Sequence, residues 1–214
     1  MVSAHSNGAG GGSSGNGSSS GNGTAIATDM APFKIVVGGG FGAGKTTLVS
    51  TISEVRPLHT EEYLSTASVG FDDLTGVHAK ETTTVALDYG RITISSRVVL
   101  YLFGLPGQER FSFLWDELAY GALGAVVLAD VRRLDDCFAS VNYFEKLKMP
   151  FVVALNCFDG AARFDPQEVQ VALDLDPNVP TVLCDAREPG SVRDVLITLV
   201  ESMTASRAST APRA

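Results

Sequence analysis

The run Gly39-Gly40-Phe41-Gly42-Ala43-Gly44-Lys45-Thr46 constrains this chain more than any other segment. It satisfies the spacing GxxxxGK(S/T). It stands between FKIVVGG, a continuous apolar stretch of the kind buried on both faces of a sheet, and a helical pattern over 45–54. Glycines let the backbone curl so that successive N–H groups converge on an anion, and the positive end of the following helix adds to the field. In that geometry residues Gly40 to Thr47 cradle phosphates, the Lys45 ammonium reaches the outer two, and the Thr46 hydroxyl is placed to ligate Mg²⁺. A merely tight turn has no need of Lys-Thr at that offset.

The rest of the chain supplies a scaffold of the same class. VVLYLF (98–103), AVVLAD (125–130), FVVALN (151–156) and TVLC (181–184) are further buried-strand readings, and TVALDYGRI from Thr84 is a sixth strand nearer an edge. Helical patterns over 135–148, 166–173 and 191–203 fall between them. Strands alternating with helices predict an α/β protein, a six-stranded mostly parallel sheet flanked by helices on both faces. The Gly/Ser-rich segment 1–30 offers no apolar face to bury and reads as a disordered tail, as does 204–214, leaving 31–203 as one domain.

Composition narrows the function. Lys and Arg total 16 against 24 Asp and Glu, a net charge of −8, the wrong sign for a protein that gains affinity by neutralising nucleic-acid phosphates. No apolar run approaches the ~20 residues of a membrane helix, no basic-then-apolar start reads as a secretory signal, and no lipidation box is present. Three cysteines, Cys137, Cys157 and Cys184, fit a reducing cytoplasm better than a disulfide framework.

A phosphate-cradling loop does not choose the base, so downstream residues must. NCFD closes a buried strand, with Asn156 and Asp159 where guanine readers carry Asn-Lys-x-Asp. A carboxylate there accepts from guanine N1–H and the 2-amino group, a donor pair adenine lacks. Cys157 stands in place of the lysine whose stem packs on the base, which predicts weaker stacking. Cys184-Asp185-Ala186-Arg187 follows the last strand, where a backbone amide would meet the guanine oxygen.

Gly107-Gln108-Glu109-Arg110-Phe111 resembles the second switch of small Ras-like GTPases, in which the Gln positions the attacking water and the Gly N–H contacts the γ-phosphate. The Asp of that family's Asp-x-x-Gly is Gly104 here, so the family's carboxylate hold on Mg²⁺ is missing at this position. The form GLPGQ is similar to the bacterial MglA-like group. Together with the strand-end NCFD it most resembles the actinobacterial conservon G proteins. The resemblance implies a slow GTPase switch binding GTP or GDP with Mg²⁺, with catalytic roles for Gln108, Lys45 and Thr84. It also implies a Roadblock-type regulator and a sensor-kinase-like partner, with any membrane association coming through partners. Thr84 matches the first-switch threonine that completes Mg²⁺ coordination, although Thr82 and Thr83 leave the register open.

Other residues carry plainer readings. Trp115 is expected to anchor its helix in the core, a partner-facing patch being the alternative. Asp130 reads as a turn acid, Arg132 and Arg133 as surface charges, and His59 and His78 as solvated loop histidines. Two rival functions remain beside the switch: a scaffold that binds nucleotide without turnover, for which Gly104 argues, and a small ATP-dependent enzyme.

Overall fold

The computed structural model describes residues 31–56, 60–64 and 83–210. Segment 1–30, His59, His78, Thr82 and residues 211–214 lie outside them. The strands are β1 (Ala31–Gly38), β2 (Thr60–Leu64), β3 (Thr83–Ser95), β4 (Val98–Gly104), β5 (Gly124–Ala129), β6 (Phe151–Asn156) and β7 (Thr181–Cys184). The helices are α1 (Lys45–Ile52), α2 (Trp115–Ala119), α3 (Phe138–Lys146), α4 (Pro166–Ala172) and α5 (Pro189–Thr210), with short 3₁₀ turns before α2 and α3.

The strands form one sheet in the order β2-β3-β4-β1-β5-β6-β7. All pairs from β4 to β7 are parallel, whereas β3 runs antiparallel to β4 and β2 antiparallel to β3. The six expected strands are all present. A seventh, β2, sits outside β3 and takes the edge position, which a short polar stretch such as TEEYL does not announce by periodicity.

Alternation along the central strands divides the core. Ile35, Val37, Val126 and Leu128 face one way and pack with Leu48 and Val49 of α1 and Val192, Val195 and Leu199 of α5. Val36, Ala125, Val127 and Val153 face the other way, against Trp115, Val141, Phe144 and Val169 from α2, α3 and α4. This two-sided burial explains why β1, β5 and β6 read as unbroken apolar runs.

Helix ends follow local chemistry. Asp165 caps α4 by accepting from the Gln167 N–H at 2.8 Å, with Glu168 reaching back and Pro166 in the first turn, where no N–H is needed. The last helix begins at Pro189 and runs through Thr210, so residues 204–210 are helical and not the start of a tail. Small residues after Met203 carry little apolar periodicity, which hid that extension from the sequence.

Candidate functional site

The phosphate-cradling loop links β1 to α1, and its last glycine makes the junction. Gly44 caps α1 with φ at 104°, and a Cβ on it would collide with the Asn156 side chain, so both the backbone angle and the space require glycine. The Lys45 side chain lies buried under the loop and donates to the carbonyl oxygens of Gly39 at 2.8 Å and Gly40 at 2.6 Å. Burial pulls its ammonium down to about 8, with the nearby Asp88 carboxylate acting in the opposite sense. Two carbonyls of the glycine-rich loop thus close it on the Lys45 ammonium.

Thr46 leads to a group that no sequence motif marks. Its hydroxyl donates to Asp88 Oδ2 at 2.8 Å, and Asp88 is buried in β3. In the β3–β4 register Asp88 pairs with Gly104, and a Cβ on Gly104 would lie 2.9 Å from the Asp88 Cβ and Oδ2. A carboxylate from the adjacent strand thus stands beside Thr46, and Gly104 leaves it room. The available signal was one acid within an otherwise apolar and aromatic strand, ALDYG.

The segment after β4 folds back over the loop. Gly107 packs so closely that a Cβ would sit 2.5 Å from Lys45 Nζ and 2.8 Å from the Phe41 nitrogen. Gln108 follows at the start of the 3₁₀ turn, and its Oε1 accepts from Arg110 Nε at 2.9 Å. Arg110 also lies over the Phe111 ring and is exposed. Trp115 is buried, donating Nε1–H to the Pro106 carbonyl at 3.0 Å and meeting Tyr143 edge-on, as the core-anchor reading expects. Thr84 lies in β3 opposite Tyr63 of β2.

A cavity of about 270 Å³ opens beside Gly44 and Thr47 and is lined by Asn156, Asp159, Ala186 and Arg187 among others. Asn156 is buried and faces inward, donating Nδ2–H to the Ala43 carbonyl at 2.9 Å and accepting from the Ala186 N–H at 3.1 Å. It therefore ties the glycine-rich loop to the loop after β7 while also lining the cavity. Asp159 is the outward group, 86% exposed at its side chain, with Arg187 donating to its Oδ2 at 2.7 Å and its Oδ1 at 3.1 Å. Arg187 also grips Asp185, and holds both carboxyls below the usual range, Asp185 at about 2. A carboxylate has about four acceptor directions, so two from Arg187 leave capacity for a ligand.

Arg132 and Arg133 are exposed, as the surface-charge reading expects, and each also holds a partner at this end of the sheet. Arg132 Nε and Nη2 donate to the two carboxylate oxygens of Asp130 at 2.9 and 2.7 Å, and Asp130 is 3% exposed. Arg133 Nη2 donates to the Phe41 carbonyl at 2.7 Å and pairs with Asp136 at 3.3 Å. Asp130 also accepts from the Arg132 N–H at 3.0 Å, so the turn-acid reading holds alongside the ion pair. Cys137 and Cys184 are buried thiols pushed up to about 11 by that burial, and no disulfide joins the described cysteines.

A phosphate-cradling loop at the carboxyl end of a parallel strand, next to a cavity walled by the ends of β6 and β7, defines a P-loop nucleotide-binding protein with the G-domain fold. The chain belongs to the family described as "Conserved hypothetical ATP binding protein", whose family model matches residues 37–206. It is 29% identical over 138 residues to the uncharacterized protein MJ1339 of Methanocaldococcus jannaschii, covering 64% of this chain and 76% of that one. It is 27% identical over 145 residues to the ADP-ribosylation factor-like protein 3 of Saccharomyces cerevisiae, covering 64% of this chain and 66% of that protein. Among solved structures, the G domain of the T. maritima FeoB iron transporter superposes with a TM-score of 0.56 at 18% identity, over 80% of this chain and 99% of that one. The FeoB G-domain from Methanococcus jannaschii gives 0.54 at 13% identity, over 82% and 99%. At such identities the likeness concerns the fold.

Proposed function

We propose that this protein is a guanine-nucleotide switch of the small GTPase type, binding GTP or GDP with Mg²⁺ and hydrolysing GTP slowly. The observation that carries the reading is Asp159, an outward carboxylate at the mouth of a cavity that adjoins the cradle. It can accept from guanine N1–H and the 2-amino group together, which adenine cannot satisfy. Lys45 neutralises the outer phosphates and Gln108 orients water for attack on the γ-phosphate.

The donor set beside the cradle fits magnesium. A hydroxyl and a carboxylate oxygen already meet at Thr46 and Asp88, both hard oxygen ligands, and phosphate oxygens and water complete such a shell. When bound, the ion screens the charge of the β- and γ-phosphates. Asp88 also weakens the case for a scaffold without turnover, which leaned on Gly104. The finer kinship with MglA-like and conservon G proteins, the Roadblock-type regulator, the sensor-kinase-like partner and cytoplasmic signalling belong to this proposal through the resemblance. No helix among the described residues is long and apolar enough to cross a membrane.

Competition against a fluorescent GDP analogue tests the base. GTP is expected to displace it at far lower concentration than ATP, and Asp159→Asn is expected to shift preference towards xanthine nucleotides, which present an oxygen where guanine has its 2-amino group. Equal displacement by ATP, in keeping with the family's description, would replace the guanine reading with an adenine one.

A further inference from the structure

Cys157 leaves the base cavity without the lysine stem of an Asn-Lys-x-Asp loop, yet the wall is not bare. Arg132 lines the same cavity, arriving from the turn after β5. Its position is fixed from two directions. Both carboxylate oxygens of buried Asp130 hold its edge, and the guanidinium carbon lies 3.9 Å from the centroid of the Phe158 ring, which covers one face. Phe158 also lines the cavity. The Arg132 side chain remains 48% exposed. A planar group with its edge and one face occupied has one further flat surface to present.

We propose that Arg132 is the stacking platform for the purine base, taking over the role of the absent lysine stem. Guanidinium planes are weakly hydrated on their faces and stack on π-systems, which suits them to this task better than an ammonium. Asp130 and Phe158 restrict the side chain before a ligand arrives, so little further ordering is required on binding. Asp130 also balances its charge, leaving stacking as the main contribution of Arg132 to the base. The division of labour is then clear: Asp159 distinguishes one purine from another, and Arg132 holds any purine. The inference rests on the reading of this cavity as a nucleotide base site.

The test compares the parent with Arg132→Ala in titrations of fluorescent GDP, with GTP, ATP, XTP and ribose 5-triphosphate as competitors. Removing the platform is expected to weaken all three purine nucleotides by a similar factor, about tenfold. The rank order of bases should stay, and ribose 5-triphosphate, which has no base, should bind as it does to the parent. Arg132→Lys retains a positive partner for Asp130 but discards the flat face, and should show most of the same loss; this guards against unfolding of the alanine variant through an unpaired buried carboxylate. GDP affinity within twofold of the parent in both variants overturns the proposal, as does an equal loss for ribose 5-triphosphate. If ATP outcompetes GTP in the parent while Arg132→Ala weakens ATP, the guanine reading falls and the platform stands. A parent that binds no purine nucleotide overturns both.

Discussion

Lys45 is where one side chain has most influence on the molecule. It is the buried cation of the cradle, brought down to about 8 by its surroundings, and phosphate oxygens favour its charged form. Binding above that value therefore takes up a proton, and affinity should fall with rising pH, by up to about tenfold per unit once Lys45 is neutral in the free protein. Calorimetric titration of GDP in two buffers of different ionisation enthalpy, at pH 7 and pH 8.5, checks this; equal heats after buffer correction with no proton uptake at pH 8.5 would contradict it. The unliganded fold behaves in the opposite sense. The folded value lies below the ordinary 10.5, so the unfolded chain binds more protons between about 8 and 10.5, and this group makes the empty protein more stable as pH rises through that window.

At the scale of elements, the pairing of β3 with β4 decides the chemistry beside Thr46. Because Asp88 and Gly104 are register partners, one position can carry a carboxylate only if the other is small. Gly104→Asp, which would rebuild the Asp-x-x-Gly of Ras-like proteins, is thus expected to push Asp88 off the Thr46 hydroxyl. Mg²⁺-dependent GDP affinity should fall by about tenfold or more, as for loss of a charge-assisted contact. Titration with and without EDTA reads the effect, and unchanged Mg²⁺ dependence would show that Asp88 does not serve the metal. The same pair marks the limit of sequence reading. Local signals carried the glycine-rich loop, the end of β6 at Asn156 with Asp159 in the turn after it, and the alternation of strands and helices, because each is written in consecutive residues. Asp88 under Thr46, Arg132 on Phe158 and the inward turn of Asn156 depend on contacts across strands, which spacing along one chain segment does not encode. The β2 edge strand and the end of α5 were missed for another reason, since neither shows a strong apolar period.

At the scale of the whole molecule, two apolar layers on either side of the sheet carry the fold, and the site sits on its rim. The polar groups of the site also have partners already: Lys45 on two carbonyls, Thr46 on Asp88, Asn156 between two backbone groups and Asp159 on Arg187. Among the described residues the buried side-chain atoms without a hydrogen bond are Arg91 Nε and Thr181 Oγ1. An EDTA-stripped, nucleotide-free preparation is accordingly expected to unfold in one transition, with a melting temperature that climbs smoothly as GDP and Mg²⁺ are added. Aggregation on stripping, or a broad transition that sharpens only with ligand, would contradict this.

The self-satisfied lysine has a consequence for timing. In the guanine-nucleotide switch proposed above, an incoming phosphate would displace the Gly39 and Gly40 carbonyls from Lys45 and a departing one would be replaced by them, so the nucleotide-free form would be a resting place on the exchange path.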